Sequence, residues 1–105
     1  MKEVMEALRA FSEERDWPPF HTPENLAKSI SIEAGELLEC FQWNHEIEDF
    51  QALKEELADV LSYCLMLCDE LHLNPEEIIL EKLEQNRRKY PVEKAKGKAT
   101  KYDKL

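Results

Sequence analysis

Apolar residues recur along this chain with the period of an α-helix, in blocks separated by stretches that break the pattern. Over residues 2 to about 15, Val4, Met5, Leu8 and Phe11 share one side. A second block from Pro23 to about Asn44 carries Leu26, Ile30, Ala34, Leu37, Leu38 and Phe41 at helical spacing. A third, starting near Asp49, carries Phe50, Leu53, Leu57, Val60, Leu61, Cys64, Leu67, Cys68 and Leu71 on one stripe. The last runs from Pro75 to about Lys89. No window alternates apolar and polar residues for long enough to predict a strand, so the chain reads as all-α.

The breaks have local chemistry of their own. Pro18 and Pro19 keep Asp16–His21 out of a helix, because proline removes a donor and restricts the residue before it. Thr22 before Pro23 is a helix start: a hydroxyl that can cap, then a proline where no donor is needed. Asp49 can cap the third helix, and Asn74 the fourth, where Glu77 completes a capping-box arrangement. Tyr90-Pro91 ends the fourth helix and leaves residues 91–105 as an extended basic tail with Lys94, Lys96, Lys98, Lys101 and Lys104. At 105 residues the whole is expected to be a single domain, with a core small enough for oligomerisation to help it.

Charge narrows the function classes. The net charge of −9 argues against binding a nucleic-acid polymer or an anionic membrane, both of which need basic surface. Lys2, Glu3 and Glu6 interrupt any signal peptide, and no apolar run approaches membrane length. Cys40, Cys64 and Cys68, an odd number without C-x-x-C spacing, read as reduced buried thiols. A cytoplasmic location is expected.

Among 23 acids, Glu-x-x-Glu or Glu-x-x-Asp recurs at seven places, so the spacing alone says little. Two pairs stand out, Glu33 with Glu36 and Glu56 with Asp59. In each, the first carboxylate sits at the edge of its helix's apolar stripe and the second about 60° beyond it. The short turn at Asn44–Asp49 makes helices two and three antiparallel neighbours. A hairpin pivoting near residue 46 sets Glu33 level with Asp59 and Glu36 level with Glu56. Four carboxylates at one height would repel and take up protons unless a hard cation joined them, and an all-oxygen set favours Mg²⁺, with Mn²⁺ as a substitute. A di-iron bundle would need Glu-x-x-His on two helices; the nearest approach is Asp69-x-x-His72, at a helix end.

Around these carboxylates, Trp17 and His21 precede helix two and Trp43 follows its stripe, where they could stack on and hydrogen-bond a nucleobase or serve as ordinary core aromatics. Tyr63 follows Asp59 by four. Lys82, Asn86 and Lys89 or Tyr90 share a face of the fourth helix, near Arg87 and Arg88, a place for phosphates or a solvated basic end.

Taken together these segments resemble a known family. Glu33-x-x-Glu36 with Glu56-x-x-Asp59 is similar to the metal motif of the MazG-like all-α nucleoside triphosphate pyrophosphohydrolases. Glu14-Arg15-Asp16-Trp17, Phe20-His21, Pro23-x-Asn25-Leu26, Gly35-Glu36-Leu37, Phe41-Gln42-Trp43, Glu55-Glu56-Leu57-x-Asp59-Val60-Leu61, Asn86-Arg87-x-x-Tyr90-Pro91-Val92 and Gly97-x-Ala99-x-Lys101-Tyr102 resemble its dCTP pyrophosphatase branch, over nearly the whole chain.

The resemblance implies a helical-hairpin-based, four-helix-bundle-like fold completed by oligomerisation, as dimer or tetramer. It implies cleavage of a dNTP, dCTP or a modified dCTP, to dNMP and pyrophosphate in nucleotide-pool cleaning. Glu33, Glu36, Glu56 and Asp59 would hold Mg²⁺, and Glu33 or Glu36 would assist catalysis as base. Trp17, His21 and Trp43 match base-pocket positions, Tyr63 fits a sugar or base contact, and Lys82, Asn86, Lys89 and Tyr90 match the phosphate side, with Lys101 and Tyr102 in the matching tail. The chain departs from the pattern at Leu8, where some relatives carry histidine, at Ile32, where many double the glutamate, and in its short Asn44–Asp49 turn. Another or a broad dNTP preference is the alternative within the same chemistry; a non-catalytic helical nucleotide- or protein-binding module is the alternative outside it.

Overall fold

A computed structural model describes all residues, 1–105, and is helical throughout: α1 (Lys2–Glu14), α2 (Pro23–Glu39), α3 (Phe50–Glu70), α4 (Pro75–Lys89) and a short α5 (Val92–Ala95), with 3₁₀ turns at Pro18–Phe20 and Tyr102–Lys104. Residues Met1–Leu73 form one compact unit and Asn74–Leu105 another. No helix is long and apolar enough to cross a membrane.

The first unit is built on the antiparallel hairpin of α2 and α3, with α1 laid against α3. Local chemistry sets the helix starts. Thr22 Oγ1 accepts from the Asn25 N–H and Asp49 Oδ1 from the Ala52 N–H, each satisfying a donor that the first turn leaves free. The helix ends use residues that tolerate the left-handed region: Asp16 at φ 54° follows α1, and His72 at φ 56° follows α3.

Packing selects one stripe of each hairpin helix. On α2 the less exposed residues are Leu26, Ser29, Ile30, Glu33 and Leu37, with Cys40 just past its end; on the first half of α3 they are Ala52, Leu53, Glu56 and Val60. Leu26, 1% exposed, and Leu65 are the buried apolar centre. Glu33 and Glu56 therefore lie in the middle of the facing stripes, not at their edges as the apolar pattern predicts. The shift arises because Leu38, Leu57 and Leu61, counted as core by their apolarity, point outward in the single chain and remain 72%, 46% and 54% exposed. A hydrophobic side chain specifies that something should cover it, not which element does.

One boundary also differs. Helix α2 ends at Glu39 instead of reaching Asn44. The connection closes on itself beyond that point: Asn44 Oδ1 accepts from the Glu46 N–H, and Asn44 Nδ2 donates to Glu48 Oε1 at 2.8 Å. The double-proline segment is not α-helical, as predicted, but takes a 3₁₀ turn that tolerates proline in its first positions.

In the second unit, α4 starts at Asn74, whose Oδ1 accepts from the N–H groups of Glu76 and Glu77. Its Ile79, Leu80 and Leu83 are exposed. The tail, expected to be extended, turns through α5 and folds Tyr102 against the end of α4.

Leu26→Ala is expected to cost about 3 kcal/mol of unfolding free energy by chemical denaturation, the scale for a buried leucine replaced by a cavity. Thr22→Ala should cost about 1 kcal/mol, for one lost cap. A Leu26→Ala loss no larger than that of the cap variant would contradict the packing.

Candidate metal centre

Two helices bring the central carboxylates together. Oxygen atoms of Glu33 on α2 and of Glu56 and Asp59 on α3 lie within 4.8 Å of one another. Glu33 and Glu56 face each other across the hairpin, while Asp59 stands at its solvent side. Glu36, the fourth predicted carboxylate, is exposed and falls outside this trio, but it is close enough to share a proton with both Glu33 and Glu56.

The electrostatics are those of a site short of positive charge. Proton sharing with Glu36, then burial, then the charges of Glu36, Asp59 and Glu56 push the Glu33 carboxyl from its ordinary 4.5 up to about 7. Burial, followed by proton sharing with Glu36 and the surrounding carboxylates, raises Glu56 as well. Glu33 Oε2 and Glu56 Oε2 are buried without any hydrogen-bond partner. Buried polar atoms are nearly always satisfied, so two orphaned carboxylate oxygens in one cluster need a donor or a cation. An all-oxygen trio open on one side, where solvent or substrate oxygens can complete the shell, suits a hard divalent ion. The donor set fits a metal.

A cavity of about 380 Å³ opens in the same unit between α1, the 3₁₀ turn and the C-terminal half of α3. Met5, Leu8, Leu26, Leu65 and Met66 make its apolar walls. His21 reaches it from the predicted base-pocket group, held by a 3.2 Å hydrogen bond between its Nδ1 and the Oγ of buried Ser12. Trp17 does not line the cavity; it packs edge-on against Phe11 and against His21, at ring distances of 5.7 and 6.3 Å. Trp43 stands 86% exposed in the connection after α2. Tyr63, one turn beyond Asp59 on α3, is half-buried.

The predicted phosphate-side residues all belong to the second unit. There Lys89 Nζ sits 4.9 Å from the Tyr102 ring centroid, and Tyr90 meets Tyr102 edge-on at 6.1 Å, which gathers the end of α4 and the tail around one aromatic pair. Lys101 neighbours Asp103, Lys82 Nζ donates to Gln85, and Asn86 is half-buried on α4.

Ser12, Arg9, Asp69 and Met66 are among the cavity residues that the sequence reading did not assign to a nucleotide site. Ser12 follows Leu8 by one helical turn and was accessible to phase analysis. The ion pair between Arg9 and Asp69 joins residues 60 apart and leaves no trace in any local pattern.

Comparison with known proteins follows this geometry. The pattern of the MazG-like family matches residues 28–105. Over its full length the chain is 36% identical to mouse (Mus musculus) dCTP pyrophosphatase 1 and 35% to the human (Homo sapiens) protein of that name, covering 67% of each. The crystal structure of a pyrophosphatase from Archaeoglobus fulgidus superposes with a TM-score of 0.78 at 48% identity, over 87% of this chain and 92% of that one.

The raised Glu33 carboxyl sets a pH signature. Its folded value lies above its ordinary one, so between about 4.5 and about 7 the folded chain holds a proton that the unfolded chain has released. In chelator, thermal stability is expected to fall as pH rises through that window, and Glu33→Gln should flatten the fall. Adding Mg²⁺ at pH 7.5 should restore the midpoint by selective binding to the folded state. A stability that rises with pH through the window, or that ignores the ion, would contradict the cluster.

Proposed function

The chain belongs to the MazG-like family, and we propose that it is a Mg²⁺-dependent nucleoside triphosphate pyrophosphatase that hydrolyses a dNTP to dNMP and pyrophosphate. The observation that carries this reading is the pair of buried, unpartnered oxygens on Glu33 and Glu56, beside Asp59. Relatives named dCTP pyrophosphatase 1 favour dCTP, or a dCTP with a modified cytosine, as the substrate.

Glu33, Glu56 and Asp59 would hold the ion, which supplies Lewis-acid neutralisation of phosphate charge when bound. Glu36 suits the general base: it lies outside the trio, is exposed, and stands beside Glu33 and Glu56. It takes a proton from the attacking water as that oxygen bonds to the α-phosphorus. The bridging α–β P–O bond breaks, and its electron pair leaves with pyrophosphate. His21, its Nδ1 tied to Ser12, presents Nε2 as the contact for the nucleoside, with Trp17 edge-on against the ring. Trp43 and Tyr63 are proposed as further base or sugar contacts. Lys82, Asn86, Lys89, Tyr90, Lys101 and Tyr102 are proposed to bind the phosphates.

The exposed apolar side chains Ile32 and Leu38 on α2 and Leu57 and Leu61 on α3 support self-association, as dimer or tetramer, with the chain acting as a single domain. A cytoplasmic house-cleaning role fits such an enzyme.

With a panel of dNTPs and Mg²⁺, pyrophosphate release is expected to be greatest for dCTP or its 5-modified analogues. No release from any dNTP at high enzyme would favour a non-catalytic binding module. Glu56→Gln and Asp59→Asn should each lower kcat about a hundredfold or more, since several kcal/mol of charge stabilisation depend on the ion, with far-ultraviolet dichroism unchanged. Retained activity in both would put the metal elsewhere.

A further inference from the structure

We propose that the Arg9–Asp69 ion pair at the polar end of the α1–α3 cavity determines base specificity, reading the amino edge of the substrate's nucleobase. The inference rests on the nucleotide reading above and deepens it.

Register links the cavity to the carboxylates. Leu26, in the cavity wall, and Glu33 are seven residues apart on α2; Met66, in the same wall, and Asp59 are seven apart on α3. Seven residues are close to two helical turns, so each pair shares a face with an axial separation of about 10 Å. The cavity wall thus stands about two helical turns from the carboxylates along both helices, a separation that suits a nucleotide with its phosphates at the carboxylates and its base in the cavity.

The far end of the cavity holds a planar pair of complementary groups. Arg9 Nε donates to Asp69 Oδ2 at 3.1 Å and Arg9 Nη2 to Asp69 Oδ1 at 2.7 Å, and both residues line the cavity. This bidentate fork fixes the two groups in one plane. It also leaves capacity on each: the guanidinium keeps Nη1 as a donor, and the carboxylate keeps further lone pairs. The Arg9 hydrogen bond holds the Asp69 carboxyl below its usual range, so it stays an acceptor at neutral pH. A fixed acceptor beside a fixed donor matches a base edge that presents an exocyclic N–H next to an unprotonated ring nitrogen. Cytosine and adenine present that order; an acidic side chain accepting from the cytosine amino group is a recurrent pairing. Uracil and hypoxanthine reverse both points, setting a carbonyl against the carboxylate and an N–H against the guanidinium. Sites built to hydrogen-bond a substrate discriminate most strongly through such mismatches.

Both side chains are partly exposed, at 48% and 35%, so the polar atoms that the pair leaves free can be reached by a ligand.

Equilibrium binding to the full-length protein with Mg²⁺ tests the proposal, with dCMP against dUMP, and dAMP against dIMP. Each pair differs in the amino or keto group and the ring proton that goes with it. The wild type should bind the amino member of at least one pair about tenfold or more tightly. Asp69→Asn should bring that ratio to within about twofold. The charge swap Arg9→Asp with Asp69→Arg rebuilds the ion pair but moves the acceptor, so the preference should stay lost while the melting temperature returns. If Asp69→Asn does not fold, the swapped protein supplies the reading.

An unchanged ratio in Asp69→Asn, a preference restored by the swap, or no preference or no binding in the wild type would each overturn the proposal. Because monophosphate binding needs no turnover, these outcomes are separate from a failure to release pyrophosphate, which would instead remove the catalytic reading.

Discussion

Repulsion among carboxylates inside the α2–α3 hairpin is the constraint that the first unit has to withstand. Glu33 and Glu56 occupy the middle of the two facing stripes, where an ordinary helical hairpin would place leucine or valine. The hairpin must therefore be held from elsewhere. Leu26 and Leu65 provide the apolar contact, the caps at Thr22 and Asp49 fix where each helix begins, and α1 lies along the C-terminal half of α3. Raised carboxyl groups and orphaned oxygens are what remains when packing at the ends forces acids together in the centre. A hard cation held there would relieve this repulsion and so serve the fold as well as the proposed chemistry.

Much of this was legible because it is local or follows from simple geometry. Caps announce themselves within three or four residues, so the starts at Thr22, Asp49 and Asn74 could be read directly. The convergence of acids from two helices needs only a short connection and a constant rise per residue. Phase was harder. The apolar positions of α2 and α3 cover more than one face of each helix, and nothing in a single sequence separates the face turned to the partner helix from the face left outside. Ala34 and Leu38 drew the expected stripe away from Glu33, and Leu57 and Leu61 did the same for Glu56.

What could not be read depends on contacts between distant segments. Ser12 is an ordinary polar residue on α1 until the double-proline turn carries His21 back to it. Arg9 and Asp69 are two charges among many until α1 crosses α3. Trp43 shows a different gap: a motif match marks it for a base contact, and in the single chain it stands largely exposed in the connection that begins where α2 stops at Glu39. The recognition of a residue type and the placement of its side chain are separate problems, and only the second depends on where the backbone turns.

The self-bonded connection between α2 and α3 has a different kind of consequence. Its hydrogen bonds run from Asn44 to Glu46 and Glu48, within the loop itself. The cavity walls and the carboxylates are spaced by helical rise, which the loop does not set. Side chains of the connection can therefore change without altering the spacing along either helix, while its length keeps the two sets of carboxylates level.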